Sequence, residues 1–438
     1  MFNIFNKFPS FKNDRFLRLS KEGAWIFFGQ AASLTGALAL VKVLTEYIEP
    51  NIYGEVALGL TIANLVNSVI MGTLSSGISR FFSIANENDD IGGYVKASLN
   101  LFLLAIFITL LLGIFGICFL YFKGMTYWMG IIALITIYSI FAGYNNALNS
   151  MQNAARQRSI VAIHNGLDAW FKIGFAVILI IFLGTNSLSV IGGYLVSSIL
   201  ISTSQTYHLK KLLDKKNIDY KKIAKKNWSR EMWLYSWPFM MWGIFGWAQQ
   251  SSTRWALEIF DSTADVGRYA VIAQIGYFPI QTAITLLMTF LMPILYSRAG
   301  DATDQARREG VDSVIRNVAL MGFCSTLLAT LITFIFHELI FEVLVSESYR
   351  SISQYLPLMV LSGGIFGIAL VISGRFFAFL TPSQLIPASI GSSIVGIMAA
   401  FIGTYYFSVL GAVLAMLVHS LAFITLTLLT KISPIEYK

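Results

Sequence analysis

Three ionisable side chains recur every four residues inside one apolar stretch of the sequence. His164, Asp168 and Lys172 therefore fall on one face of the helix predicted over 160–183. Ionisable groups in such a segment are costly unless they face protein or water, so each is a candidate functional residue. We predict ion coupling at Asp168 and His164 and substrate binding at Lys172. The alternative is an Asp168–Lys172 ion pair that only holds helices together.

Four further cations are predicted to contact substrate. Lys42 and Arg254 occupy matching positions at the ends of the first predicted span of each half, whereas Arg80 and Arg375 lie near the other ends of their spans. Each of the four side chains could instead simply reach the headgroup region of a bilayer. Uncharged polar groups within spans either contact sugars or bind helix to helix; they are Asn145, Asn146, Asn149, Gln249, Gln250, Gln274 and Gln281.

The composition is that of a membrane protein. Hydrophobic residues make up 56% of the 438 residues and charged residues only 12%, whereas soluble chains need roughly a quarter charged residues to cover their surface. The net charge of +8 comes from basic residues in short connections, which argues against nucleic acid as a partner. Cys118 and Cys324 lie in separate apolar runs and suggest neither a disulfide nor a metal site, and no cofactor is predicted.

Apolar stretches long enough to cross a bilayer occur twelve times. We predict an all-α polytopic membrane protein, with two six-helix bundles related by a pseudo-two-fold axis along the membrane normal. The predicted spans are 23–41, 56–79, 97–120, 127–148, 160–183, 188–208, 232–253, 270–296, 315–336, 356–379, 384–406 and 409–430.

A basic segment, 210–230, separates six spans from six. It contains nine of the 31 Lys and Arg residues, and its lysines could coat a surface helix against anionic lipids. We predict a first bundle over 1–209, this cytoplasmic linker and a second bundle over 231–438. Twenty-five of the 31 Lys and Arg residues lie on the linker's side of the membrane. Both termini are therefore predicted to be cytoplasmic, with the chain in a bacterial inner membrane.

The two halves share one sequence pattern and differ in the positions of their prolines. A cation is followed by a glycine after twelve or thirteen residues in both halves, from Lys42 to Gly54 and from Arg254 to Gly267, which indicates a repeat. Prolines interrupt predicted spans only in the second half, where each favours a kink. They are Pro238, Pro279, Pro293 and Pro387.

The sequence resembles the multidrug, oligosaccharidyl-lipid and polysaccharide flippase superfamily, specifically its Wzx-type O-antigen translocases. The resemblance rests on Gly23-Ala24-Trp25, Lys42 to Tyr53-Gly54, Gly77-Ile78-Ser79-Arg80, and Trp237-Pro238 to Val266-Gly267. It implies a transporter, not an enzyme, that flips an oligosaccharide repeat linked to undecaprenyl diphosphate through a cationic cavity. Implied partners are membrane lipids, a proton or sodium coupling ion, and polysaccharide polymerase and chain-length proteins.

Two other functions remain as alternatives. A multidrug antiporter of the same superfamily handles organic cations and should display acidic groups in its cavity, where only Asp168 is available. A membrane glycan polymerase or acyltransferase should carry catalytic residues on a sizeable outer loop, and every predicted outer connection is short.

Overall fold

A computed structural model describes residues 14–214, 226–300, 305–379 and 381–431, together with their side chains except those of 14–20 and 212. All regular secondary structure in these ranges is helical. Most of the basic segment, and with it Lys215 and Lys222 of the predicted surface helix, lies outside the described residues.

Seven helices make up the first half. They are α1 (Asp14–Tyr47), α2 (Pro50–Leu65), α3 (Gly72–Glu87), α4 (Ile91–Phe122), α5 (Thr126–Ala154), α6 (Arg158–Leu183) and α7 (Ser187–Asp214). A π-helical turn, Val66–Met71, joins α2 to α3 without a break in direction, so the two form one span. This span is longer at both ends than the predicted 56–79.

Six helices make up the second half. They are α8 (Trp228–Phe260), α9 (Thr263–Ile272), α10 (Phe278–Ala299), α11 (Gln305–Leu344), α12 (Leu356–Ala378) and α13 (Ile386–Leu429). A second π-helical turn, Ala273–Tyr277, joins α9 to α10, and 3₁₀ turns over Glu347–Tyr355 and Pro382–Leu385 precede α12 and α13. The span after the first one in each half therefore contains a π-helical turn.

Ten helical segments of the described chain are long and apolar enough to cross a membrane. The helix α8 is also long enough, with 33 residues, but Trp, Gln and Ser lower its hydropathy. The all-α, multi-pass class is confirmed, and each predicted span falls on a helix. Pro238 and Pro293 lie inside a helix, and Pro279 lies inside the continuous helical span Thr263–Ala299, directly after the π-helical turn. Pro387 stands in the first turn of α13, where proline is favoured.

A single residue divides α13 into the last two predicted spans. Ser408 has φ 52° and ψ −132°, which reverses the chain. A Cβ on Gly411 would overlap the backbone of Gly403, so the two glycines let the arms of this hairpin touch. The His419 ring lies 3.1 Å from the Ser392 carbonyl oxygen further along the hairpin, as expected for two antiparallel helices.

The two halves close against each other at one end of the molecule, which we call the acidic end because Glu46, Glu49 and Asp261 lie there. A Cβ on Gly54 would overlap the carbonyl of Thr263, and one on Gly267 would overlap that of Pro50, so α2 and α9 cross in direct backbone contact. We call this contact between α2 and α9, at Gly54 and Gly267, the seam. The close packing there explains why both halves need a glycine after their first span. The predicted two-fold axis stays a prediction.

Hydrogen bonds reinforce the seam. The Tyr349 hydroxyl donates to the Ile48 carbonyl at 2.9 Å and the Ser346 amide to the Thr45 hydroxyl at 3.3 Å. Deeper in the protein, the Trp247 indole donates to the Thr61 carbonyl at 2.7 Å. The acidic end is thus closed by apolar packing and by hydrogen bonds between the halves.

At the opposite, basic end, α8 is anchored on the first half. The Trp228 indole donates to Asp90 at 2.8 Å and is buried together with Met232. Nearer the acidic end, α8 packs on α13, where the Gln249 amide approaches the Met416 sulfur at 3.6 Å. The helix α8 therefore contacts both halves along its length, and the predicted domain boundary near 231 stays a prediction.

Candidate functional site

The ionisable face of α6 packs against α7. His164 places its ring nitrogens 2.9 Å from the Ser204 hydroxyl and 2.7 Å from the Ile160 carbonyl. Asp168 accepts from Lys172 at 2.6 Å and from the Ser197 hydroxyl at 2.9 Å. The predicted periodicity thus places all three residues on the inner side of the first half, and Asp168 pairs with Lys172 rather than with His164.

Next to Asp168 lies a polar cavity of about 190 Å³ between α2, α5, α6 and α7, which we call the asparagine recess. The π-helical turn after α2 presents Asn67 to it, and a Cβ on Gly143 would collide with Met71 and Asn67, so glycine lets α5 approach this turn. Its lining consists of Asn64, Asn67, Tyr138, Ala142, Asn145, Asn146, Asn149, Asn165, Asp168, Ser198 and Ile201.

The recess carries no net charge. Asp168 is its only ionised lining residue among those described, and Lys172 neutralises it. Lys172 also lies over the Tyr138 ring, with its nitrogen 5.8 Å from the ring centre. About a fifth of each side chain in the pair is exposed, 20% for Lys172 and 23% for Asp168, so the pair lies at the edge of the recess and not in a sealed core.

Nearer the basic end lies a wider cavity of about 570 Å³, which we call the serine vestibule. It is lined by Ser75, Ser76, Ser79, Arg80, Ser83, Ser150, Tyr235 and Phe239, and Arg80 is the only charged residue in this described lining. Tyr235 and Phe239 pack with ring centres 5.6 Å apart on α8. Ser150 follows Asn146 by one turn of α5, so the vestibule and the recess succeed each other along that helix.

The predicted cation Arg254 lies at the seam. It is 8% exposed, and its Nε has no hydrogen-bond partner among the described residues. Tyr53 and Tyr269 are near enough to interact electrostatically with it. Tyr53 precedes Arg80 by 27 residues in one helical span, so Arg254 and Arg80 lie roughly 40 Å apart. One diphosphate cannot contact both in this conformation.

The remaining predicted cations are engaged by neighbours. Lys42 pairs with Glu46 at 2.7 Å at the acidic end, with both side chains well exposed. Arg375 donates to the Thr427 carbonyl at 3.2 Å and lies over the Phe376 ring. The five predicted cations are thus spread over the two ends and the middle of the molecule, and their contact with substrate stays a prediction.

Sequence reasoning singled out Asp168, Asn145, Asn146 and Asn149 but missed the other residues of the recess. The missed residues include Asn64, Asn67, Asn165, Tyr138 and Ser198, and the serines of the vestibule. A usable signal was present, because asparagines are scarce in apolar spans and several spans carry them at similar depth. Only the fold shows that they meet.

Comparison with known proteins supports the fold. No family model and no curated protein sequence matches the chain. Among solved structures, it is similar to the lipid II flippase MurJ in an inward closed conformation, with TM-score 0.68 and 14% identity over 93% of this chain and 86% of that one. It is also similar to an outward-facing multidrug resistance MATE transporter of the MOP superfamily, with TM-score 0.61 and 14% identity over 94% and 93%.

A third likeness is to the eukaryotic MATE transporter AtDTX14, with TM-score 0.60 and 14% identity over 95% of this chain and 96% of that one. At this level of identity the likeness shows a shared fold. The chain thus has the fold of these membrane transporters.

Proposed function

We propose that this protein flips an oligosaccharide linked to a lipid diphosphate, undecaprenyl diphosphate, across the membrane. The observation that carries the proposal is the serine vestibule. Among its described lining residues, the only charged group is the guanidinium of Arg80, which suits a diphosphate because it can donate two hydrogen bonds to one phosphate. Hydroxyls and the aromatic faces of Tyr235 and Phe239 suit sugars. The passenger that we propose is a surface polysaccharide repeat, such as that of O-antigen in lipopolysaccharide.

The distribution of Lys and Arg indicates how the protein is oriented in the membrane. Lys and Arg concentrate at the basic end, which we place in the cytoplasm together with both termini and the 210–230 segment. The vestibule then faces the cytoplasm, where lipid-linked repeats are assembled. The acidic end faces outward in a bacterial inner membrane, towards the polymerase and chain-length proteins that would take the repeat.

Transport by alternating access requires the seam at the acidic end to part. In this structure the seam is closed by the Gly54–Gly267 crossing and by Tyr349. Arg254 lies behind it, and would meet the diphosphate once the seam opens. Pro238 lies in α8 between Trp228, which is anchored on Asp90, and Gln249, which lies against Met416, and a bend there would allow this motion.

Ion coupling at Asp168 and His164 remains part of the proposal. Protonation of Asp168, or a sodium ion in place of Lys172, would free the lysine amine from its 2.6 Å contact. The freed cation would lie near the passage taken by the substrate. Transport would then depend on the gradient of the coupling ion.

The alternative of a multidrug antiporter has one specific observation in its favour, the acidic residue Asp168 in a polar recess of a MATE-like fold. Against it, Lys172 already neutralises this carboxylate, and the vestibule carries a cation. A glycan polymerase is less well supported, because the fold is that of transporters.

Deletion of the gene tests the choice. We expect loss of surface polysaccharide, with intact lipid-linked repeats accumulating on the cytoplasmic face. Complementation with Arg80→Gln should fail and with Arg80→Lys should be partial, whereas Arg298→Gln, which removes an exposed cation outside the vestibule, should restore export fully. Unchanged polysaccharide with new drug sensitivity would favour the antiporter instead.

A further inference from the structure

We propose that the asparagine recess is a binding subsite for one neutral sugar ring of the passenger. This inference rests on the proposed function and deepens it, because it assigns the oligosaccharide to residues other than those that meet the diphosphate. The diphosphate would lie at Arg80 in the vestibule while one sugar enters the recess beside it.

Buried polar atoms without partners point to a ligand. Asn145 is 8% exposed and Ser198 1%. The Asn145 side-chain oxygen and the Ser198 hydroxyl have no hydrogen-bond partner among the described residues, and the same is true of the Asn67 side-chain oxygen. Such atoms are costly to leave unsatisfied in a folded protein. All three belong to the lining of the recess.

A neighbouring asparagine shows what a purely structural amide looks like here. The Asn149 amide nitrogen donates to Asn165 at 2.8 Å, and its oxygen accepts from Gln205 at 2.7 Å. Asn149 therefore ties α5 to α6 and α7 with both of its polar ends. Asn145 uses only its nitrogen, which donates to the Ser198 carbonyl at 3.2 Å, and leaves its oxygen for another partner.

The absence of net charge in the recess favours an uncharged ligand. Both oxygens of Asp168 are already hydrogen-bonded, one to Lys172 and one to Ser197. A free cation would have to displace Lys172, and an anion would meet the carboxylate. A neutral ligand avoids both costs. Side-chain amides carry a donor and an acceptor side by side, which matches sugar hydroxyls, since these both donate and accept.

The volume of the recess and its opening suit a single sugar ring. The recess of about 190 Å³ is smaller than the roughly 300–1,000 Å³ of pockets that hold drug-sized ligands, so it excludes a lipid chain or a whole repeat. Asn64 and Asn146 are exposed at its mouth, and Ser150 of the vestibule lies one turn from Asn146. A sugar can therefore reach the recess from the vestibule without crossing an apolar barrier on α5.

The test measures binding to the purified full-length protein. The three probes are undecaprenyl diphosphate without sugar, the undecaprenyl-diphosphate-linked repeat from the organism's own membranes, and the oligosaccharide released from that repeat. The variants are Asn145→Ala/Ser198→Ala, which removes the free polar groups, and Ala142→Phe, which fills the recess. Cys118→Phe, on the exposed face of α4, adds the same ring outside the recess as a control for folding.

We expect wild type to bind the repeat more tightly than the sugar-free lipid. Both recess variants should lose about tenfold in affinity for the repeat and for the released oligosaccharide, with no change for the sugar-free lipid, and Cys118→Phe should behave as wild type. Recess variants that bind the repeat and the released oligosaccharide like wild type overturn the subsite alone. A wild-type protein that binds neither lipid overturns the proposed function as well.

Discussion

Two cations of this protein, the partly buried Lys172 and the buried Arg254, have opposite surroundings. Lys172 in the first half lies 2.6 Å from Asp168, one turn away on the same helix. Arg254 in the second half is 8% exposed, lies among Tyr53 and Tyr269, and forms no ion pair among the described residues. The first charge is neutralised by its own helix, whereas the second is left to the surrounding protein.

This difference indicates which of the two sites suits a charged ligand. A buried charge without a partner lowers stability, so a protein that keeps one gains something else from it. A neutralised pair can instead line a cavity for a neutral ligand. In the proposed function, the contrast corresponds to two kinds of site: the diphosphate at Arg80 and Arg254, and a sugar at the amides beside the neutral pair.

The largest expected effect is at Arg254. Arg254→Leu should reduce transport of the lipid-linked repeat by roughly 100-fold, the cost of losing a desolvated charge contact. The same change should raise the free energy of unfolding by about 1–2 kcal/mol, because it removes an unpaired buried charge. Flipping in proteoliposomes and thermal unfolding measure the two effects. Arg254→Lys keeps the charge and serves as the control; lower stability in Arg254→Leu would mean that the guanidinium holds the seam together.

The next effect separates pairing from function in the first half. Asp168→Asn should cost about 1–3 kcal/mol of stability, because it leaves Lys172 without its counterion in a partly exposed site. The double variant Asp168→Asn/Lys172→Met should recover most of that loss. Thermal unfolding gives the stabilities, and a double-mutant cycle gives the interaction energy.

Transport by the same double variant tests coupling. If Asp168 couples transport to a proton gradient, flipping stays low and loses its dependence on external pH even though stability is restored. If flipping recovers together with stability, the pair only locks helices and the predicted coupling role is wrong.

The seam that buries Arg254 can be opened directly. Gly267→Ala places a methyl group against the Pro50 carbonyl, so α2 and α9 must separate. Because this overpacking destabilises the closed state, we expect transport to fall about tenfold. Spin labels at Glu49→Cys and Glu347→Cys, both exposed at the acidic end, should move apart by a few ångströms. Gly174→Ala has nothing within 4 Å of its added carbon and should change neither. An unaltered label distance in Gly267→Ala would show that the seam absorbs the methyl group.

The smallest effect is expected at Ser197, which holds the second oxygen of Asp168 at 2.9 Å. Ser197→Ala should cost about 1 kcal/mol, the usual worth of one hydrogen bond, because Lys172 still neutralises the carboxylate. Ser202→Ala removes a hydroxyl that bonds only within α7 and is the matched control. A loss at Ser197 as large as that of Asp168→Asn would mean that the α6–α7 contact, not the ion pair, positions Asp168.

Much of the fold was predictable because it depends on local composition. Apolar length defines spans, and every predicted span coincides with a helix. Pro387 was misjudged, since nothing in the residues shows whether a proline begins a helix or interrupts one. The reversal at Ser408 was predicted only as a gap between two spans, and the contact between Gly403 and Gly411 became visible in the fold.

By itself, the sequence determined an all-α membrane protein, the face of α6 that carries His164, Asp168 and Lys172, and a set of candidate cations. Tertiary structure decided which of these groups meet. It brought Asp168 and the asparagines of three helical spans together in one recess and left Arg254 alone at a seam, some 40 Å from Arg80 by helix length. The physical reason is that spacing along a helix fixes the direction of a side chain, whereas its partners belong to other helices, whose packing depends on contacts distant in sequence, such as Gly54 against Thr263.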